Sequence, residues 1–175
     1  VTGDTRTGGI VGSFGATDSR GIWLCQYNIN LGNVTSIGTG GKLSGDCAGG
    51  IVGYAYGSGK VACAYIMNNL SIGNVESKGA QGVASYILGY ISSNYAIIAD
   101  NYATGTLNSA AGKEYAIGWN NAGVYDVATG NNKIPATNTH KLAYENGNEE
   151  GTFNTGVVDE SYLLLGDAIK DFNAS

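Results

Sequence analysis

A chain of 175 residues that is 43% hydrophobic and 13% charged carries enough apolar material for one packed domain, which excludes a disordered polypeptide. Its net charge of −5, with nine basic residues scattered singly, excludes nucleic acid as the main partner, because phosphate recognition needs clustered Lys and Arg. Glycine is in excess at 29 residues, but a single proline and the lack of a Gly-X-Y period exclude collagen, leaving a chain of tight corners and short strands.

Val1 to Thr7 is polar and reads as an exposed lead-in, opening without an initiator methionine as a processed or excised polypeptide does. No apolar run reaches the roughly 20 residues that span a bilayer, so no transmembrane segment is expected. A repeated phrase then begins. Gly8-Gly9-Ile10-Val11-Gly12 is its first copy, Gly49-Gly50-Ile51-Val52-Gly53-Tyr54 its second, Tyr86-Ile87-Leu88-Gly89-Tyr90 its third and Tyr115-Ala116-Ile117-Gly118-Trp119 a worn fourth. The repeat positions Gly9, Ile10, Gly12, Gly50, Ile51, Gly53 and Gly89 are read as structural, with the periodic isoleucine in the core. A second phrase answers each copy, running from Cys25-Gln26-Tyr27-Asn28 to Gly32-Asn33-Val34, from Cys63-Ala64-Tyr65 to Gly73-Asn74-Val75, and from Asn101 to Leu107.

Gly12 and Gly53 are 41 residues apart, as are Gly32 and Gly73, and the two phrases are offset by 20. A half-repeat of about twenty residues predicts an all-β fold, a parallel β-solenoid whose coils of that length stack at about 4.8 Å. The later intervals of 36 and 29 residues predict shortening coils with less regular register after residue 119. Strands are expected at Ile22 to Tyr27, Val34 to Ile37, Ala62 to Met67 and Val75 to Ser77, while the apolar stretch from Gly82 to Ile98 admits a short helix. Pro135 is expected to mark a departure from regular pairing. In the tail, Tyr162, Leu165, Ile169 and Phe172 stand at helical spacing behind Asp159 and Glu160, which predicts a capping helix. The whole reads as one solenoid domain over residues 1–175, with a lead-in at 1–7, coils over 8–158 and a C-terminal cap at 159–175.

Few residues suggest chemistry. Cys25 and Cys63 occupy similar places in successive phrases and read as buried apolar side chains, with a disulfide between them left open. Zinc lacks its ligands, since there is no Cys-x-x-Cys pair and His140 is the only histidine. Gly57-Ser58-Gly59-Lys60-Val61 fails as a phosphate loop, because Tyr54 and Val61 stand where glycine and Ser or Thr are required. Asp46, Glu76 and Asp100 are the best candidates for paired carboxylates, and they read equally as turn residues. No cofactor is expected. The aromatic residues are more suggestive: Tyr54 and Tyr90 share one place in successive repeats, and with Trp119 they form a row that either faces a ligand or stacks in the core.

The phrases Gly-Gly-Ile-Val-Gly and Cys-x-Tyr-Asn to Gly-Asn-Val-x-Ser resemble the GLUG repeat of large secreted and surface proteins of bacteria, most closely from Gly8 to Leu107. The segment Leu165 to Lys170 is similar to one that closes such arrays. The third copy carries Ala84-Ser85 near the place of Gly-Gly, and the fourth lacks its glycines. The resemblance implies a β-helix in an extracellular or cell-surface setting and supplies no catalytic residues. From residues and resemblance together, the expectation is a non-enzymatic adhesive or structural module that displays a polar and aromatic face to glycan or surface protein. The alternative is a filament subunit joined end to end as a homo-oligomer. A polysaccharide-cleaving β-helix ranks below both.

Overall fold

The computed structural model describes residues 1–16, 20–42, 44–57, 61–93, 95–120, 126–130, 132–135, 142–144 and 156–158. After β1 (Thr2–Gly3), a first coil comprises β2 (Thr7–Gly8), β3 (Val11–Ala16), β4 (Arg20–Gln26), β5 (Ile29–Asn30) and β6 (Val34–Ser36). The second repeats this with β7 (Ala48–Gly49), β8 (Val52–Gly57), β9 (Val61–Met67), β10 (Leu70–Ile72) and β11 (Val75–Ser77). The third holds β12 (Val83–Ser85), β13 (Leu88–Ser93), β14 (Tyr95–Ala99), β15 (Tyr102–Thr104) and β16 (Leu107–Ser109). There follow β17 (Lys113–Tyr115), β18 (Gly118–Asn120), β19 (Asp126–Gly130), β20 (Lys133–Pro135), β21 (Leu142–Tyr144) and β22 (Gly156–Val158).

Equivalent strands pair in parallel and build five sheets around one axis. Sheet I runs β1-β6-β11-β16, sheet II β2-β7-β12-β17, sheet III β3-β8-β13-β18-β21, sheet IV β4-β9-β14-β19 and sheet V β5-β10-β15-β20-β22. The fold is therefore a parallel β-solenoid. Its coil length corrects the sequence expectation. Val34 lies opposite Val75 and Ser13 opposite Tyr54, so one coil holds the whole 41-residue repeat, and not about twenty residues. The two phrases fall on different sides of the same coil, the first at the meeting of sheets II and III and the second running from the end of sheet IV through sheet V into sheet I. A five-sided coil with a corner between each pair of short strands cannot close in twenty residues.

The shortening has a local origin. In sheet III Tyr54 lies opposite Tyr90 and Tyr90 opposite Trp119, in agreement with the 36- and 29-residue intervals. The shortening falls at two corners: between sheets I and II the connection shrinks from 37–47 to 78–82 and then 110–112, and between sheets III and IV the offset of the third coil from the second drops from 36 to 32 residues. Among the described residues there is no helix, and the stretch from Gly82 to Ile98 is made of β12, β13 and β14. Thr2–Gly3 of the lead-in joins sheet I beside Thr35 and Ser36. Pro135 also proves to be paired, opposite Val158, although pairing of β20 with β15 stops at Lys133, as a residue without an N–H would have it. His140 and the expected cap at 159–175 lie outside the described residues.

Side chains that alternate inward fill the coil with like on like. Val52 and Leu88 are opposite one another, as are Ala55 and Ile91, Cys25 and Ile66, and Ile66 and Ile98, all within one apolar cluster. Ile51 and Ile87 belong to it and are fully buried. Each such side chain contributes about 1.5–3 kcal/mol by leaving water. Cys25 is therefore opposite Ile66, and Cys63 opposite Ile22, three residues away from the equivalence that the phrases suggest. Cys25 and Cys47 are free thiols, both buried.

At the corner from sheet IV to sheet V each coil turns on a left-handed residue, Tyr27 at φ 57°, Asn68 at 55° and Asp100 at 54°. The next residue is always asparagine. Asn28, Asn69, Asn101 and Asn132 stack into a ladder in which each Oδ1 from Asn69 onward accepts both the backbone N–H and the Nδ2–H of the preceding rung, at 2.9–3.2 Å. The Nδ2 groups of Asn69, Asn101 and Asn132 also donate to the carbonyls of Cys25, Ile66 and Ile98 in the preceding coil. A corner that would leave backbone groups unpaired is closed in this way by side-chain amides.

Candidate functional site

The outward face of sheet I is polar. Thr35, Glu76 and Asn108 follow one another in register along the outer face of β6, β11 and β16. Beside them, at the corner entering the sheet, Asn33, Asn74 and Thr106 make a second column. The Oδ1 of Asn33 accepts the backbone N–H of Asn74 at 2.9 Å, and the Oδ1 of Asn74 accepts that of Thr106 at 3.0 Å. These bonds fix two exposed amides with their Nδ2 groups free to donate outward. Asn108 donates to the Glu76 carboxylate at 3.3 Å, and Lys78 stands 3.5 Å from the same carboxylate. Thr35, Glu76 and Asn108 with Asn33, Asn74 and Thr106 line an open groove of about 270 Å³ across three coils.

The aromatic row predicted from the repeat is in sheet III, and it is packed. Tyr54, Tyr90 and Trp119 share one register position. Adjacent residues on β8 point to opposite faces, and since Ala55 lies in the central cluster, Tyr54 points away from it. The row nevertheless forms a satellite cluster with Cys47, Val83 and Tyr115 from sheet II and its approach. Tyr90 is 7% exposed and Trp119 4%, while Tyr54 is half-buried with the Arg6 guanidinium 4.5 Å above its ring. Tyr54 and Tyr90 rings are 5.6 Å apart, and Tyr115 packs on Trp119 at 5.2 Å. The row lies outside the main core and joins sheets II and III through this satellite cluster. Of the three residues proposed to meet a ligand, only Tyr54 reaches the surface, and its hydroxyl is engaged with Ser92 at 2.7 Å.

The three carboxylates do not assemble. Asp46 is fully buried in the connection before β7, where its Oδ1 accepts the N–H groups of Gly40 at 2.7 Å and Gly41 at 3.1 Å, and its carbonyl accepts the Ser77 hydroxyl. It latches the 37–47 connection onto the coil. Glu76 lies on the outer face of sheet I, and Asp100 is the left-handed residue of the sheet IV to sheet V corner. The thiols are equally remote from chemistry. Burial pushes Cys25 up to about 11, against a weaker opposing hydrogen bond from Asn28, and burial pushes Cys47 up to about 12, so both are neutral at physiological pH. Among the described residues no three His, Cys, Asp or Glu side chains gather as metal ligands, and no helix is long and apolar enough to cross a membrane.

Sequence reasoning missed the sheet I groove. Its signal was available in Gly-Asn-Val-x-Ser, which recurs with an asparagine before and a polar residue after the valine, but polar residues in a repeated phrase read as corners until their register is known. Set against known proteins, the chain matches no family model, no curated protein and no solved structure.

Proposed function

We propose that this chain is a non-catalytic display module, adhesive or structural, that works outside the cell or at its surface. The observation that supports the reading is the polar groove of sheet I, where amide, hydroxyl and carboxylate groups repeat at the strand spacing on a backbone that cannot easily rearrange. Such an array offers hydrogen-bond donors and acceptors in a line, at an ordering cost already met by the coils. A glycan, with hydroxyl groups along an extended chain, is the ligand class that best fits it, and an extended segment of a surface protein is the next. The bacterial, GLUG-like setting rests on the repeated phrases alone. The separation of Asp46, Glu76 and Asp100 favours this reading over a polysaccharide-cleaving enzyme, which needs two carboxyl groups within several Å of one bond.

A glycan array probed with the purified protein, followed by titration calorimetry on any hit, tests the proposal. Asn74→Ala with Glu76→Ala should weaken binding by about tenfold or more, as expected for the loss of one or two hydrogen bonds that involve a charge. Tyr90→Phe should leave it unchanged. Glycan binding that survives the double substitution would remove the groove from the reading.

A further inference from the structure

The groove of sheet I is built from three like cross-sections. Asn33 and Thr35 flank buried Val34 in the first coil, Asn74 and Glu76 flank buried Val75 in the second, and Thr106 and Asn108 flank Leu107 in the third. Each coil thus turns two polar side chains outward, two residues apart on one strand and so roughly 6–7 Å from each other. Parallel register repeats the pair at the coil spacing of about 4.8 Å. The result is two polar rails that run along the solenoid axis. Every coil offers at least one donor and one acceptor: amide and hydroxyl in the first, amide and carboxylate in the second, hydroxyl and amide in the third.

The chemistry of the lining narrows what can lie between the rails. Among the described residues that form the groove none is aromatic, and the apolar contact is Val75 in its floor. An extended peptide is held through an open sheet edge or through apolar pockets for alternate side chains. Here β11 is paired on both sides, with β6 and with β16, and the lining forms no such pocket. A chain of pyranose rings asks for neither, since its hydroxyl groups project from both edges of a ribbon whose advance per sugar is close to the coil spacing. The ionisable group in the lining is the Glu76 carboxylate, while Lys78, 3.5 Å from it, stands outside the groove. A uronic or sulfated sugar would bring an anion against that carboxylate, on a chain whose net charge is −5. Neighbouring hydroxyls of a neutral sugar instead donate to it, in hydrogen bonds strengthened by its charge. Asn108 orients one carboxylate oxygen at 3.3 Å and leaves further acceptor sites for them.

Resting on the glycan reading above, we propose that the groove binds a neutral, extended glycan along the solenoid axis, one sugar to a coil, with Glu76 as the charged acceptor of the central of three subsites. Without an aromatic platform each subsite contributes hydrogen bonds alone, and each of these adds little in water. Affinity therefore accumulates with the number of sugars and stops growing once the three coils are covered.

Titration calorimetry of the intact chain with cello-, manno- and chito-oligosaccharides of one to six sugars, and with oligogalacturonates of the same lengths, tests this. In at least one neutral series the dissociation constant should fall several-fold with each of the second and third sugars and stay level from the third to the sixth. Oligogalacturonates should bind about tenfold more weakly at equal length, and Glu76→Gln should weaken the neutral trisaccharide by about tenfold while narrowing that gap. Thr35→Val, which removes a hydroxyl from an end subsite at nearly constant volume, should bring the plateau forward to the second sugar. Tighter binding of the oligogalacturonates, affinity that does not change with length, or a plateau that stays at three sugars in Thr35→Val would each overturn the inference and leave the glycan reading standing. Absence of binding to all three neutral series would overturn it as well, and if the glycan array also gives no hit the broader reading falls with it.

Discussion

A buried amide stabilises only if its hydrogen-bonding capacity is used, and Asn101 meets that condition fully. Its Oδ1 accepts two N–H groups from Asn69, and its Nδ2 donates to Ile66 and to Asn132. Alanine at that position strands the Asn69 amide groups and the Ile66 carbonyl away from water, at about 1–3 kcal/mol for each unsatisfied group. Asn101→Ala should therefore cost at least about 3 kcal/mol in urea denaturation, against under about 1 kcal/mol for Asn33→Ala, whose ladder on sheet I is in water. Equal costs for the two variants would mean that the buried ladder does not hold the coils. At this scale the sequence was misleading about cysteine: Cys25 and Cys63 resemble one another in phrase, but the asparagine three residues after Cys25 fixes the register, and Cys63 falls elsewhere.

Strands of two to seven residues do not hold a sheet by length, so the corners decide where each begins. Between sheets V and I the corner is a glycine column. Gly73 has φ 144°, and a Cβ there would lie 2.8 Å from the Gly32 carbonyl of the preceding coil; Gly105 has φ 111° and would place one 2.3 Å from the Gly73 oxygen. Both the backbone conformation and the space exclude any other side chain. Gly73→Ala should lower stability by about 1–3 kcal/mol through the conformation alone, with more from the displaced neighbour. A thermal melt that matches the parent protein would show that this corner can move outward. The recurring Gly-Asn-Val made these corners legible, because a glycine that must recur every coil is visible without coordinates. The pairing of Pro135 was not, since proline is compatible with a strand only on the side that asks no N–H of it.

Across the molecule, stability should follow the number of neighbours a coil has, as in other stacked repeats. The second and third coils are sandwiched, whereas β4 and β5 have a partner on one side only among the described residues. Hydrogen exchange should accordingly show β9 and β10 protected more strongly than β4 and β5. Uniform protection would mean that the coils open together and not in order of their neighbours.

By itself the sequence determined the architecture: an all-β solenoid, its 41-, 36- and 29-residue intervals, and a core of aligned isoleucine, valine and leucine. These follow from repetition, and repetition is a property of the linear chain. Only the tertiary structure decided that two phrases make one coil, that Tyr90 and Trp119 are packed in a satellite cluster, and that Asn33, Asn74 and Glu76 share a groove. How many sides a coil has depends on the angle taken at each corner. The face on which a residue lies depends on its distance from that corner, so neither can be counted from the spacing of glycines alone.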